Sequence, residues 1–120
     1  MPRLFILIGA LMGFLGVALG AFGAHGLRTR LGPEMLAVFE TGVRYQMYHA
    51  LALLALGALA PSIAGRLATA AGWSFTAGIV LFSGSLYLLA LTDVRILGAI
   101  TPLGGVAFLI GWACLAYAAI

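Results

Sequence analysis

The chain has 120 residues, of which 64% are hydrophobic and only 8% are charged. A soluble domain carries about 25% charged residues because its surface faces water, so the composition excludes an ordinary soluble protein and predicts a lipid surrounding. The net charge is +3, and the six basic residues are all Arg that stand singly at the ends of apolar runs. This scatter is typical of juxtamembrane anchors, and we expect no nucleic-acid partner because no basic stripe is formed.

The first apolar run covers residues 4–24, with Arg3 before it and Arg28 and Arg30 after it. At about 1.5 Å per residue, a helix of this length crosses the roughly 30 Å hydrocarbon core of a bilayer. A cleaved signal peptide is the alternative, because small residues close the run. The run is longer than the usual apolar region of a signal peptide and does not end in Ala-x-Ala. We therefore predict a transmembrane helix.

The second predicted span, residues 36–60, is the least uniform of the chain. A loop rich in Gly, Pro and Arg over residues 26–33 precedes it, and Pro61 ends it. Residues 50–60 are wholly apolar but too few to cross a bilayer, so the membrane segment has to reach back to about Gly42. The polar residues of this span therefore enter the membrane or a packed interface.

Two further apolar runs complete the chain. The third predicted span covers residues 67–92, and Asp93 and Arg95 mark a tight turn after it. The fourth span covers residues 96–119 and contains Pro102 near its start. Proline inside an apolar run predicts either a kink or a late start of the helix.

Four spans joined by short loops predict an all-α polytopic membrane protein, a four-transmembrane-helix bundle that forms a single domain over residues 1–120. The two termini and the middle loop then share one side of the membrane, which carries Arg3 and Arg66. The other side carries three further arginines, Arg28, Arg30 and Arg95. Because Arg is enriched in cytoplasmic loops, this distribution places both termini outside.

Small residues recur along the first and fourth spans at the spacing of one helical face. They are Gly9, Gly13, Gly16, Gly20 and Gly23 on the first span, and Gly104, Ala107, Gly111, Cys114 and Ala118 on the fourth. Lipid supplies little hydrophobic drive between helices, so association depends on close backbone approach at such residues. The two seams serve either packing within one bundle or assembly between chains. Since a small bundle has few buried faces, we also expect a homo-oligomer.

The second span holds most of the polar side chains: Glu40, Arg44, Tyr45, Gln46, Tyr48 and His49. Glu40 and Arg44 are four residues apart, in the order that favours an ion pair on one helical face. Gln46 and His49 are three apart and share a face that can point into the bundle. Together with His25 at the end of the first span, these residues form the candidate polar or ligand site. They serve either as a hydrogen-bonded clamp between helices or as a proton, ion or ligand site.

Cofactor and metal chemistry have little support in the sequence. Two His in a membrane bundle suit haem ligation, but His25 falls at the end of its span whereas His49 lies well inside the next. A zinc site would need Glu34, Glu40 or Asp93 because no usable cysteine accompanies the histidines. The serines of the third span have no acid or base at triad spacing. We expect no catalytic residue, no metal and no cofactor, and hence no enzyme.

Four motifs occur in order along the chain: GAFGAHGL at residues 20–27, YQMYHALALL at 45–54, LFSGSLYLLALT at 81–92 and TPLGG at 101–105. With these motifs the chain resembles the domain of unknown function 423 family, the YgdD and transmembrane protein 256-like small membrane proteins. The resemblance runs from near residue 4 to the C-terminus. It implies a multi-pass protein of the bacterial plasma (inner) membrane, mitochondrial in eukaryotic members, and it carries no catalytic assignment. His25, Gln46 and His49 stand within its motifs.

These observations predict a non-enzymatic accessory, assembly or lipid-organising component whose partners are membrane lipids. The alternative is an oligomeric small channel or carrier that uses the polar half of the second span. The arrangement of the polar residues distinguishes the two. A continuous polar path through the bundle favours transport, whereas side chains that satisfy one another in a closed core favour the first interpretation.

Overall fold

The computed structural model describes residues 2–63 and 65–120; residues 1 and 64 of the predicted domain lie outside this description. The described chain is all-α, as predicted, and its four long helices lie close to the predicted bounds. They are α1, Pro2–His25; α2, Pro33–Leu59; α3, Gly65–Thr92; and α4, Thr101–Ala118. Short 3-10 turns cover Ala60–Ser62 and Arg95–Ala99.

Among the described residues, three helical segments are long and apolar enough to cross a membrane: Pro2–His25, Gly65–Thr92 and Arg95–Ala118. α2 has 27 residues, so its length matches theirs. It does not join this set because its N-terminal half carries the polar residues of the candidate site. Length and composition alone therefore support three membrane spans.

The helix ends follow local chemistry. α2 begins at Pro33, where the missing N–H of proline costs nothing, and Glu34 complements the helix dipole in its first turn. α3 ends because Asp93 adopts a left-handed conformation, with φ of 57°, and its N–H donates to the Leu89 carbonyl at 2.8 Å. Of the two outcomes predicted at Pro102, the late start is observed, since Pro102 lies in the first turn of α4.

The bundle consists of two helical hairpins. α1 packs mainly on α2, α3 packs mainly on α4, and α2 joins the hairpins through its contacts with α3. The larger apolar core lies near the chain termini and includes Phe5, Leu56 and Phe75. A smaller core of Leu27, Phe39 and Ala90 lies at the opposite end. The exterior is apolar, and Phe14 and Leu109 are 73% and 70% exposed, as lipid-facing side chains would be.

One ionic contact places the α1–α2 and α3–α4 loops at the same end of the bundle. Arg95 lies 3.0 Å from Glu34 at the start of α2 and 3.1 Å from Asp93 in its own loop, measured between nitrogen and oxygen. All three side chains are exposed, so these pairs contribute little to stability. They do bring Arg95 to the end of the bundle that carries Arg28 and Arg30.

The glycine seam of α1 packs largely within the chain. A Cβ on Gly9 would lie 2.8 Å from the carbonyl oxygen of Ala50, and a Cβ on Gly23 would lie 3.0 Å from the Phe39 ring. Gly16 and Gly20 face Met47 and Val43 of α2 in the same way. Gly13 differs, because a Cβ there would meet no atom within 4 Å.

The small-residue seam of α4 faces α3. A Cβ on Gly104 would collide with the Phe82 backbone, and one on Gly111 would lie 2.6 Å from the Phe75 ring. Cys114 packs against the larger core, and Ala107 and Ala118 are half-buried. Both seams therefore serve packing inside one chain, and the homo-oligomer stays a prediction.

Candidate functional site

The polar half of α2 divides between two faces. Gln46 and His49 are buried, at 3% and 4% exposure, and point toward the other helices as their spacing predicts. The remaining four polar residues face outward: Glu40, Arg44, Tyr45 and Tyr48. His25 is exposed at the end of α1. The structure therefore separates the predicted site into an internal pair and an external group.

Gln46 joins three helices through its amide. Its Nε2 donates to the carbonyl oxygen of Met12 in α1 at 2.8 Å, and its Oε1 accepts a hydrogen bond from the Tyr87 hydroxyl of α3 at 2.6 Å. These contacts use both ends of the amide, which offers donors at one end and acceptors at the other. Gln46 therefore ties α1, α2 and α3 together in the middle of the bundle.

His49 links α2 to α4 as a neutral imidazole. Its Nδ1 lies 2.7 Å from the Tyr45 carbonyl oxygen, and its Nε2 lies 3.0 Å from the indole Nε1 of Trp112. A carbonyl only accepts and an indole N–H only donates, so Nδ1 carries the proton and Nε2 is the acceptor. The ring also stacks on Phe108, with centroids 3.6 Å apart and planes 9° apart. Since both ring nitrogens are occupied, His49 offers no free lone pair to a metal.

A π-helical turn in α3 completes these contacts. The turn covers Ile79–Ser83, and the fully buried Ser83 hydroxyl donates to the Gly42 carbonyl oxygen of α2 at 2.7 Å. Two residues later, Ser85 and Thr101 share a 2.6 Å hydrogen bond between α3 and α4. Such turns change the direction of the side chains that follow them. Here the turn accompanies a polar contact between α2 and α3.

We call Gln46, His49, Ser83, Tyr87 and Trp112 the polar clamp. Within the described residues, every buried side-chain nitrogen and oxygen has a hydrogen-bond partner. The same residues contain no group of three or more His, Cys, Asp and Glu side chains able to hold a metal ion. The clamp is therefore a closed set of hydrogen bonds that connects all four helices.

The predicted ion pair between Glu40 and Arg44 is not formed. The ion pairs among the described residues are those of Arg95 with Glu34 and Asp93. Glu40 and Arg44 instead line a cavity of about 300 Å³ beside Gly20 and Gly23 of α1. An exposed pair four residues apart is worth only about 0.3–0.5 kcal/mol, so little free energy holds the two side chains together.

Sequence reasoning missed several members of the clamp. Trp112 is the clearest omission, because it stands in an apolar run and its indole N–H supplies the partner of His49. The available signal was general: an indole N–H away from water needs an acceptor. Tyr87 and Ser83 were also missed, because their partners on α2 lie 41 residues away along the chain.

An aromatic groove opens on the outer side of His49. Its volume is about 390 Å³, and its lining includes Tyr45, Tyr48, Phe108 and Trp112. Tyr45 and Tyr48 are 37% and 52% exposed. The groove is therefore an apolar indentation of the exterior, formed where α2 and α4 diverge around the stacked His49 and Phe108 rings.

Comparison with known proteins identifies the same family that the sequence motifs resemble. Residues 19–105 match the family model described as protein of unknown function (DUF423). The UPF0382 membrane protein YwdK of Bacillus subtilis is 54% identical over 119 residues, which cover 98% of this chain and 97% of the relative. A UPF0382 membrane protein of Staphylococcus epidermidis is 51% identical over 116 residues, with 97% and 94% covered. That of Staphylococcus saprophyticus is 51% identical over 110 residues, with 92% and 91% covered. No solved structure matches the chain.

Proposed function

The chain belongs to the DUF423 family, whose relatives are named membrane proteins, and from this premise we propose that all four helices cross the bacterial inner membrane. The support comes from α2, whose 27 residues extend about 40 Å at 1.5 Å per residue. Its buried polar residues, Gln46 and His49, face other helices rather than lipid. A polar helix is tolerated in a bilayer when its polar groups are satisfied inside the bundle.

Cysteine labelling of the loops tests whether α2 crosses the membrane. In a Cys114→Ala background, Thr29→Cys in the α1–α2 loop and Ser62→Cys after α2 are expected to lie on opposite sides of the membrane. Because the Arg-rich loops favour the cytoplasm, an impermeant maleimide added to intact cells should label only the Ser62→Cys variant. Gly98→Cys is the matched control and should behave like Thr29→Cys. Labelling of Thr29→Cys and Ser62→Cys from the same side would show that α2 does not cross.

We further propose a non-enzymatic accessory, assembly or lipid-organising role for the bundle. The observation that carries this proposal is the closure of the polar clamp: both ends of the Gln46 amide and both ring nitrogens of His49 have partners within the chain. Polar groups bonded in this way tie membrane helices together. The outside of the bundle, which is largely apolar, is then the surface through which the protein acts on its surroundings.

Flux measurements distinguish this proposal from the channel or carrier alternative. Purified protein in proteoliposomes with an imposed proton or potassium gradient is expected to dissipate the gradient no faster than empty liposomes, because the clamp leaves its polar groups no exchangeable site. His49→Ala and Gln46→Leu are the informative variants, and Arg66→Gln is the control outside the clamp. Flux that is present in the wild type and in Arg66→Gln, yet absent from both clamp variants, would overturn the accessory role and establish transport.

A further inference from the structure

Two cavities follow one another along the outer face of the α1–α2 hairpin. The first, about 300 Å³, lies near the loop end and contains Glu40 and Arg44. The second, about 420 Å³, is almost wholly apolar and is lined by side chains that include Gly13, Val17 and Leu51. On α2 the lining residues recur at alternating spacings of four and three: Glu40, Arg44, Met47, Leu51 and Leu54. Such spacing keeps residues on one face of a helix, so the two cavities lie in line along one face of α2, and together we call them the groove.

The groove has the dimensions of a lipid chain. Beyond the two charged residues, from Arg44 to Leu54, it follows 10 residues of α2, or about 15 Å at 1.5 Å per residue. One leaflet contributes about half of the roughly 30 Å hydrocarbon core, so this part of the groove is about as long as a leaflet is thick. Its floor is open at Gly13, where a Cβ would meet no atom of the protein within 4 Å. The groove therefore accommodates an extended hydrocarbon chain.

Glu40 and Arg44 lie at different depths in the membrane. Phe39 packs on Gly23 near the end of α1, and Val43 packs on Gly20 one turn deeper. Glu40 therefore lies near the loop-side boundary of the membrane, and Arg44 lies one turn, about 6 Å, further in. Within the described part of the chain, neither side chain takes part in an ion pair. Charges at this depth require partners, and the long Arg side chain reaches toward the headgroup region.

We propose that this groove binds a single phospholipid whose headgroup carries an ammonium group, such as phosphatidylethanolamine. Arg44 binds the phosphate through charge-assisted hydrogen bonds, Glu40 binds the ammonium group, and one acyl chain lies along the apolar part of the groove over Gly13. The charges of the headgroup match this order in depth: its phosphate lies deeper, at the level of Arg44, and its terminal ammonium lies closer to water, at the level of Glu40. The inference rests on the proposal that α2 spans the membrane.

A second copy of the chain fits the charges less well. Two copies inserted with the same orientation are related by a two-fold axis along the membrane normal, which places Glu40 opposite Glu40 and Arg44 opposite Arg44 at equal depth. Like charges at close range repel one another. A lipid zwitterion complements both side chains of one protein at once, and it also fills the open space above Gly13.

Lipid binding to the full chain tests the proposal by native mass spectrometry in detergent. Titration with dioleoyl phosphatidylethanolamine should give one retained lipid per chain, and dioleoyl phosphatidylglycerol, which lacks the ammonium, should bind roughly tenfold more weakly. Arg44→Gln and Glu40→Gln should each weaken retention of phosphatidylethanolamine by a similar factor, with Arg66→Gln as the charge control. Glu40→Gln should also remove the preference for phosphatidylethanolamine over phosphatidylglycerol.

Filling the groove provides an independent test. Gly13→Leu should abolish lipid retention without destabilising the bundle, because no protein atom lies within 4 Å of its Cβ position and the rest of the side chain extends into the cavity. Gly84→Leu is the matched control, since Gly84 is another helical glycine with no atom within 4 Å of its Cβ position, and it lies on α3. Equal retention in both glycine variants would overturn the proposal. So would charge variants that change the oligomeric mass but leave the lipid adducts unaltered, which would assign the groove to a second copy.

The two proposals fail in different ways. If Thr29→Cys and Ser62→Cys label from the same side of the membrane, the proposal that α2 crosses the membrane is wrong, whatever the lipid titration gives. If they label from opposite sides while phosphatidylethanolamine retention is insensitive to Arg44, Glu40 and Gly13, only the lipid site is wrong.

Discussion

The Gly104→Ala substitution is expected to destabilise the packing of α3 against α4 by about 2 kcal/mol or more. A Cβ on Gly104 would lie 2.7 Å from the Cα of Phe82 and closer still to its backbone nitrogen. Backbone atoms cannot rotate away as the end of a flexible side chain does, so the two helices must separate. Alanine gains about 1 kcal/mol in helix propensity over glycine, which offsets only part of this cost. Unfolding in mixed micelles with increasing dodecyl sulfate, followed by Trp fluorescence, measures the change.

The neighbouring glycine provides the control for this prediction. A Cβ on Gly105 would approach only the Phe82 ring, at 4.0 Å, which is an ordinary van der Waals distance. Gly105→Ala is therefore expected to leave the free energy of unfolding unchanged or to raise it by up to about 1 kcal/mol through helix propensity. Equal destabilisation by the two substitutions would contradict the close approach of α4 to α3 at Gly104.

The Gln46→Leu substitution is expected to lower the free energy of unfolding by about 2 kcal/mol, because it removes a hydrogen-bond partner from each of two half-buried groups at once. The Tyr87 hydroxyl loses its acceptor, and the Met12 carbonyl loses a donor from α2. Single hydrogen bonds between membrane helices average only about 0.6 kcal/mol. The larger value is expected here because leucine offers no acceptor to the half-buried Tyr87 hydroxyl. The same unfolding titration measures the effect.

A double-mutant cycle with Tyr87→Phe separates the hydrogen bond from the packing of the Gln46 side chain. Once the Tyr87 hydroxyl is absent, Gln46→Leu should cost about 1 kcal/mol less than in the wild type. Tyr45→Phe is the matched tyrosine control, since Tyr45 lies on the outer face and is 37% exposed, and it should show no coupling to Gln46. Additive effects of Gln46→Leu and Tyr87→Phe would show that the clamp does not connect α2 to α3 as described.

Local chemistry accounts for most of the fold that could be predicted. The ends of the helices follow from Pro33, Pro61, Asp93 and Pro102, whose effects on the backbone reach only one turn. The three-residue spacing of Gln46 and His49 requires one common face in any helix, and that face is buried in the structure. The glycines of α1 likewise share one face, which packs on α2 except at Gly13.

The hydrogen-bond partners of the polar residues could not be predicted, because they are distant from those residues along the chain. Trp112 is 63 residues from His49, and no pattern near either residue indicates their contact. The π-helical turn at Ile79–Ser83 depends in the same way on the alignment of α3 with Gly42 of α2. The separation of Glu40 and Arg44 was also missed, because a spacing of four residues permits an ion pair but its small free energy does not enforce one.

The sequence by itself determined an all-α membrane protein with four long helices and an unusually polar α2. Apolar length and helical periodicity are properties of each segment taken alone, so they can be read without knowing what lies beside it. Only the tertiary structure decided that Gln46 and His49 close into a clamp while Glu40 and Arg44 face an open groove. That division depends on the rotation and register of the packed helices, which the close approaches at Gly9, Gly104 and Gly111 determine.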